Sequence, residues 1–175
     1  LTAHRRENQG EPLRRIFTAV NKITEKYPDV RVIYPCHMNP AVRGMAHEIF
    51  DGNGKVRLIE PLEVTDFHNL IKKSYLVLTD SGGIQEEGPS LGKPVLVVRE
   101  TTERPEGVEA GTLKLVGTST ERFVKEVSRL LDDKEEYERM SRAENPYGDG
   151  NASKRIINAI LRYFQNREIG IDIPA

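Results

Sequence analysis

The chain has 175 residues, 37% of them apolar and 30% charged, enough for one domain with a single core and in proportions ordinary for a soluble globular protein. Its 26 Lys and Arg against 27 Asp and Glu leave a formal charge of −1. There is therefore no global basic field to hold nucleic acid or an anionic membrane, and any anion site must be local.

The one cysteine, Cys36, cannot form an internal disulfide and suits a reducing compartment. The longest apolar stretches, at 75–78 and 94–98, fall far short of the roughly 20 residues that a membrane span needs. No signal peptide is expected. The chain opens at Leu1 without an initiator Met, on what reads as a strand end at 1–3, as though a preceding part were missing. A helix follows at 12–27, with Leu13, Ile16, Val20 and Ile23 on one face. Short β-branched runs predict strands at 30–35, 55–59, 75–79, 94–98 and 113–116. Between them, 65–73 carries Phe67, Leu70 and Ile71 at helical spacing, and further helices are expected at 121–131, 134–142 and 152–164. Counting the stub, six short apolar strands alternate with helices. That pattern implies a doubly wound, mostly parallel α/β sheet covered on both faces.

In such a sheet ligands bind beyond the carboxyl ends of the strands, near the reversal of strand order. The polar clusters fall at those ends: His4 to Asn8, Cys36 to Pro40, Asp80 to Gly83 and Arg99 to Glu106. Ser81-Gly82-Gly83 joins a strand to a helix whose first turn is expected near 84–87. Two glycines let a ligand approach the backbone, and the free N–H groups of the helix start favour an anion such as phosphate. A plain capped connection with Ser81 as N-cap stands beside that reading, and Glu86 or Glu87 can be no more than a helix-start carboxylate. No Gly-Lys-Ser/Thr follows, so it is not a P-loop.

The Asp-Ser-Gly-Gly of chymotrypsin-like proteases belongs to an all-β setting that this alternation excludes. Asp51-Gly52-Asn53-Gly54 begins like an EF-hand loop, but Leu62 stands where a bidentate Glu is required. His4, between a strand end and two arginines, can touch a phosphate or donate a proton; the alternative is a loop in which Arg5, Arg6 and Glu7 form solvated pairs. His37, at a strand end, is a weaker candidate, and His47 and His68 read as surface or core-edge residues of helices. The histidines lack metal-site spacing, so no metal is expected. Arg99 and Arg104 can clamp a phosphate or pair with Glu100, Glu103 or Glu106. The turn-rich stretch at 145–150 reads as structural.

"TAHRREN", Tyr34-Pro35 with His37, Asn39, Pro40 and Val42, "LIEPLEVTDF", "LTDSGGIQEE", "PSLGKPVLV", "TTERPE", "AGTLKLVGT" and "NPYGDG" occur in that order between Thr2 and Gly150. Together they resemble the bacterial non-hydrolysing UDP-N-acetylglucosamine 2-epimerases. The resemblance implies a two-domain GT-B enzyme with two Rossmann-like halves, of which residues 1–175 would be the C-terminal, UDP-binding one and the N-terminal domain would be absent. It implies interconversion of UDP-GlcNAc and UDP-ManNAc without a cofactor, by elimination of UDP to 2-acetamidoglucal and re-addition after reprotonation at C2.

The implied substrate-binding residues are Ser81, Gly82 and Gly83 for the diphosphate, Glu87 for the ribose hydroxyls, Phe67 for the uridine pocket and Arg104 near the phosphates. His4 is implied as catalytic, and His4 with Glu7 as a contact to a second, activating UDP-GlcNAc. Gly88 departs from the Ala of many members. A fragment that binds UDP weakly and does not turn over is expected, within a cytoplasmic enzyme that is a homodimer at full length. Its partners would be UDP-GlcNAc, UDP-ManNAc and UDP, with no nucleic acid and no membrane. The donor domain of a GT-B glycosyltransferase, a hydrolysing 2-epimerase and a nucleotide-binding regulatory module are the competing readings.

Overall fold

A computed structural model describes residues 1–168. Leu13, Ile16, Phe17, Val20 and Ile23 recur on one side of helix α1 (Glu11–Lys26), and all are buried. Pro12 sits in its first turn, where a missing N–H costs nothing. Further along are β1 (Val32–Pro35), α2 (Pro40–Phe50), β2 (Val56–Ile59), α3 (Val64–Lys73), β3 (Val77–Thr79), α4 (Gly82–Ser90) and β4 (Val95–Val97). α5 (Pro105–Glu109), β5 (Leu113–Leu115), α6 (Thr120–Asp132), α7 (Lys134–Ser141) and α8 (Ala152–Glu168) complete the chain. Every strand pairing is parallel, in the orders β1-β2 and β3-β4-β5.

The opening stub joins the two groups without itself being a strand. Thr2 N donates to Leu78 O at 2.8 Å, Asp80 N donates to Thr2 O at 3.0 Å, and the Leu1 amino group donates to Ile33 O at 2.9 Å. The resulting order is β2-β1-stub-β3-β4-β5. From the stub the chain runs out to β1 and β2, then crosses back to β3, so strand order reverses at the stub. The sixth strand expected from sequence is thus a single bridge, Thr2 to Thr79.

The central strands bury both faces, and one alternation shows it. Leu96 and Val98 belong to a core under α1 and α6, whereas Val95 and Val97 belong to a second core with Phe67, Ile71 and Ile84. All four are fully buried, and burying each side chain is worth about 1.5–3 kcal/mol. Gly88 faces this second core. A Cβ there would stand 2.5 Å from Val95 Cγ2, so its departure from Ala goes with the close approach of α4 to β4.

α4 begins at Gly82, two residues before the expected first turn, so Glu86 and Glu87 lie in its second turn and are not helix-start carboxylates. Pro89 lacks a donor, and Gly92 at φ 69° ends the helix with its N–H on Pro89 O. No described helix is long and apolar enough to cross a membrane.

Candidate functional site

The strand reversal places His4, at the end of the stub, next to Asp80, at the end of β3. Asp80 is fully buried. Its Oδ2 accepts from His4 N and Arg5 N, both at 2.8 Å, and from Asn8 Nδ2 at 3.0 Å. Among the described residues its Oδ1 has no hydrogen-bond partner, and it faces His4 Nδ1 at 3.8 Å. The His4 ring stacks on His37, with centroids 4.7 Å apart and planes 6° from parallel. Burial lowers the His4 pKa below the usual imidazole value, against the opposing pull of Asp80.

Ser81 occupies the N-cap position of α4, but its hydroxyl accepts no capping bond. Among the described residues nothing accepts from the N–H groups of Gly82, Gly83 and Ile84. These are the orphan donors of a helix start, carrying the positive end of its dipole. A Cβ on Gly82 would stand 2.9 Å from Glu103 Oε1, and one on Gly83 3.5 Å from Glu87 Oε1. Both turn glycines therefore lie against carboxylates that end near the donors.

The loop after β4 is tied to the same helix. Thr102 Oγ1 donates to Gln85 Oε1, and Arg104 Nε pairs with Glu86. Arg99 pairs with Glu7 and Glu103, and Arg5 reaches Glu103 at 3.4 Å. The arginine pairs foreseen in the sequence form with Glu103, and additionally with Glu7 and Glu86; Glu100 instead accepts from Thr118 N at 3.0 Å. The Glu103 carboxyl is held below the usual carboxylate range by its own backbone N–H and then by Arg99 and Arg5. The arginines beside the helix start are therefore matched by carboxylates, and an incoming anion competes with Glu86 and Glu103 for them.

On the other flank of α4, His68 Nε2 lies 3.2 Å from Glu87 Oε2. A cleft of about 280 Å³ there is lined by His68, Glu86, Glu87, Ser90, Leu91 and Tyr147. Phe67 precedes His68 and packs on the core beneath. Among the described residues the Tyr147 hydroxyl is buried without a hydrogen-bond partner, and burial pushes its pKa up to about 12. Glu7 stands elsewhere, in a cleft of about 320 Å³ with Asn8, Arg99, Glu100 and Thr118.

Ser81, Gly82, Gly83, Glu87, Phe67 and Arg104 thus gather around α4, His4 joins them through Asp80, and Glu7 joins only through Arg99. From the sequence, Asp80 is one member of a strand-end polar cluster, His68 a surface or core-edge residue and Tyr147 part of a structural turn, none with a site role of its own. The one signal for Asp80 was its place between a β-branched run and a glycine pair. Among the described residues no three or more His, Cys, Asp or Glu side chains are grouped to hold a metal ion.

The family model described as UDP-N-acetylglucosamine 2-epimerase matches residues 1–161. A Bacillus subtilis UDP-N-acetylglucosamine 2-epimerase is 58% identical over 96% of this chain and 44% of its own length. The Staphylococcus aureus MnaA–UDP co-structure matches with a TM-score of 0.90 at 55% identity, over 94% of this chain and 45% of that one. The Neisseria meningitidis UDP-GlcNAc 2-epimerase bound to UDP-GlcNAc matches with a TM-score of 0.88 at 50% identity, over 92% of this chain and 43% of that one. The chain therefore spans somewhat less than half the length of these relatives.

Proposed function

The chain belongs to the UDP-N-acetylglucosamine 2-epimerase family, and from that membership we propose that it supplies the UDP-binding half of an isomerase interconverting UDP-GlcNAc and UDP-ManNAc. The observation that carries the proposal is the row of unpaired N–H groups at Gly82, Gly83 and Ile84, set at the strand reversal with Arg104 one residue beyond Glu103.

The diphosphate of UDP takes those donors and the Ser81 hydroxyl. Glu87, held by His68, accepts from the ribose hydroxyls, and Phe67 lines the uridine end. Breaking the C1–O bond moves negative charge onto the departing diphosphate. Fixed N–H donors and the Arg104 guanidinium stabilise that charge more in the transition state than in the ground state. Elimination removes the C2 proton as the C1–O bond breaks, leaving 2-acetamidoglucal and UDP; reprotonation on the opposite face and re-addition of UDP give the epimer. The carboxylates that handle the C2 proton belong to an N-terminal half outside this chain, so residues 1–175 bind UDP without turnover. No added cofactor takes part. His4 meets the substrate, and His4 with Glu7 contacts a second UDP-GlcNAc as activator. The complete enzyme is proposed to be cytoplasmic and homodimeric.

The test is product analysis of the complete polypeptide with UDP-GlcNAc in D2O. UDP-ManNAc carrying deuterium at C2 is expected. Free N-acetylmannosamine with UDP would make it a hydrolysing enzyme, acceptor-dependent UDP release would make it a glycosyltransferase, and UDP binding with no product would leave a regulatory module.

A further inference from the structure

Asp80 is an unusual carboxylate for the end of a strand. It is wholly buried, and its two oxygens have opposite surroundings. Oδ2 is saturated by three donors, the backbone N–H groups of His4 and Arg5 and the Asn8 side-chain amide. Asn8 is itself held by a second bond, from Nδ2 to Val98 O at 3.1 Å. Oδ1 is buried and unpartnered, and the group in front of it is His4 Nδ1 at 3.8 Å. A buried oxygen without a donor is costly, so the arrangement favours a proton on the facing nitrogen. The separation is long for a hydrogen bond, as such contacts often are before substrate arrives. The His37 ring stacked on His4 limits where the imidazole can swing.

We propose that Asp80 is a positioning residue for His4: its free Oδ1 fixes the imidazole as the Nδ1–H tautomer and so leaves Nε2, on the ring edge away from Asp80, as a proton acceptor and hydrogen-bond acceptor toward substrate. The tautomer of an imidazole is set by the partner of its other nitrogen. The inference deepens the proposed function, because it gives His4 a defined protonation state, and it rests on that reading only for what Nε2 then does. His37 provides an internal contrast. Its Nδ1 accepts from Asn39 N at 3.1 Å, so the neighbouring ring is the opposite, Nε2–H tautomer.

The Asp80→Asn variant separates the roles of the two oxygens. Three N–H donors demand an oxygen at the Oδ2 position, so the amide NH2 is forced to the Oδ1 side, where it donates to His4 Nδ1 and moves the ring proton to Nε2. Long-range 1H–15N correlation spectra of the 175-residue chain, taken where the imidazoles are neutral, read this directly. The expected result is Nδ1–H for His4 in the wild type and Nε2–H in Asp80→Asn, with His37 as Nε2–H in both. An Nε2–H His4 in the wild type, or the same His4 tautomer in both proteins, overturns the inference. The wild-type spectrum alone suffices if the variant does not fold. In the complete enzyme, Asp80→Asn is expected to lower kcat about 10²-fold with KM little changed. A swapped tautomer with unchanged kcat would support the Asp80–His4 pairing and count against the use of His4 in the reaction, so the two failures are distinguishable.

Discussion

Single residues decide how closely the site elements approach one another. Gly107 is buried in α5, and a Cβ there would strike the Tyr147 hydroxyl and stand 2.6 Å from Leu113 Cδ1. Gly107→Ala is therefore expected to destabilise the chain by about 2 kcal/mol, a fall of roughly 6 °C in Tm by calorimetry, despite the better helix propensity of Ala. Removing charged hydrogen-bonding partners acts on binding instead. Arg104→Ala and Glu87→Gln are each expected to weaken UDP binding about 10-fold or more by titration calorimetry, the scale of one charge-assisted hydrogen bond. Unchanged affinity in both variants would remove these residues from the site. The residues whose roles were not legible in the sequence share a physical reason. Asp80 and His68 matter through which of their atoms face Oδ2 donors or Glu87, and no spacing rule carries atom-level facing.

At the scale of elements, caps and charges hold the helices that frame the sheet. α7 is capped by Asp133, whose Oδ1 accepts from Glu136 N at 3.0 Å. Asp133→Ala leaves that donor unpaired and is expected to cost about 1 kcal/mol, measured by urea denaturation. Glu136 itself is buried and bonded by Arg139 at 2.8 and 2.9 Å, and its carboxyl is held below the usual glutamate range chiefly by that arginine. A carboxyl depressed in the folded state contributes stability that is present above its unfolded pKa, about 4.3, and is lost as pH falls through the folded value. Glu136→Gln is therefore expected to be less stable than wild type at about pH 7, with the gap closing as the pH drops below about 4. A gap that stays constant across that range in thermal melts would contradict the cause assigned to the shift.

Over the whole molecule, the doubly wound, mostly parallel class was legible because the central strands are continuous apolar runs and the expected helices keep their apolar faces at helical spacing. α1, α3, α6 and α7 fall within one or two residues of their expected limits. The stub was not legible as a bridge: its pairing depends on β1 and β3 arriving on either side, and a three-residue segment carries no period. The start of α4 also came earlier than expected, since glycines have low helix propensity, yet α4 opens on Gly82 and Gly83, where a Cβ on Gly82 would stand 2.9 Å from Glu103 Oε1.

Those uncovered donors bear the central claim, and backbone 1H–15N spectra of the chain titrated with UDP and, separately, with uridine test it most directly. The account predicts that UDP shifts the amides of Gly82, Gly83 and Ile84 and that uridine leaves them in place. UDP binding with those three amides unmoved, or equal shifts from uridine, would contradict it.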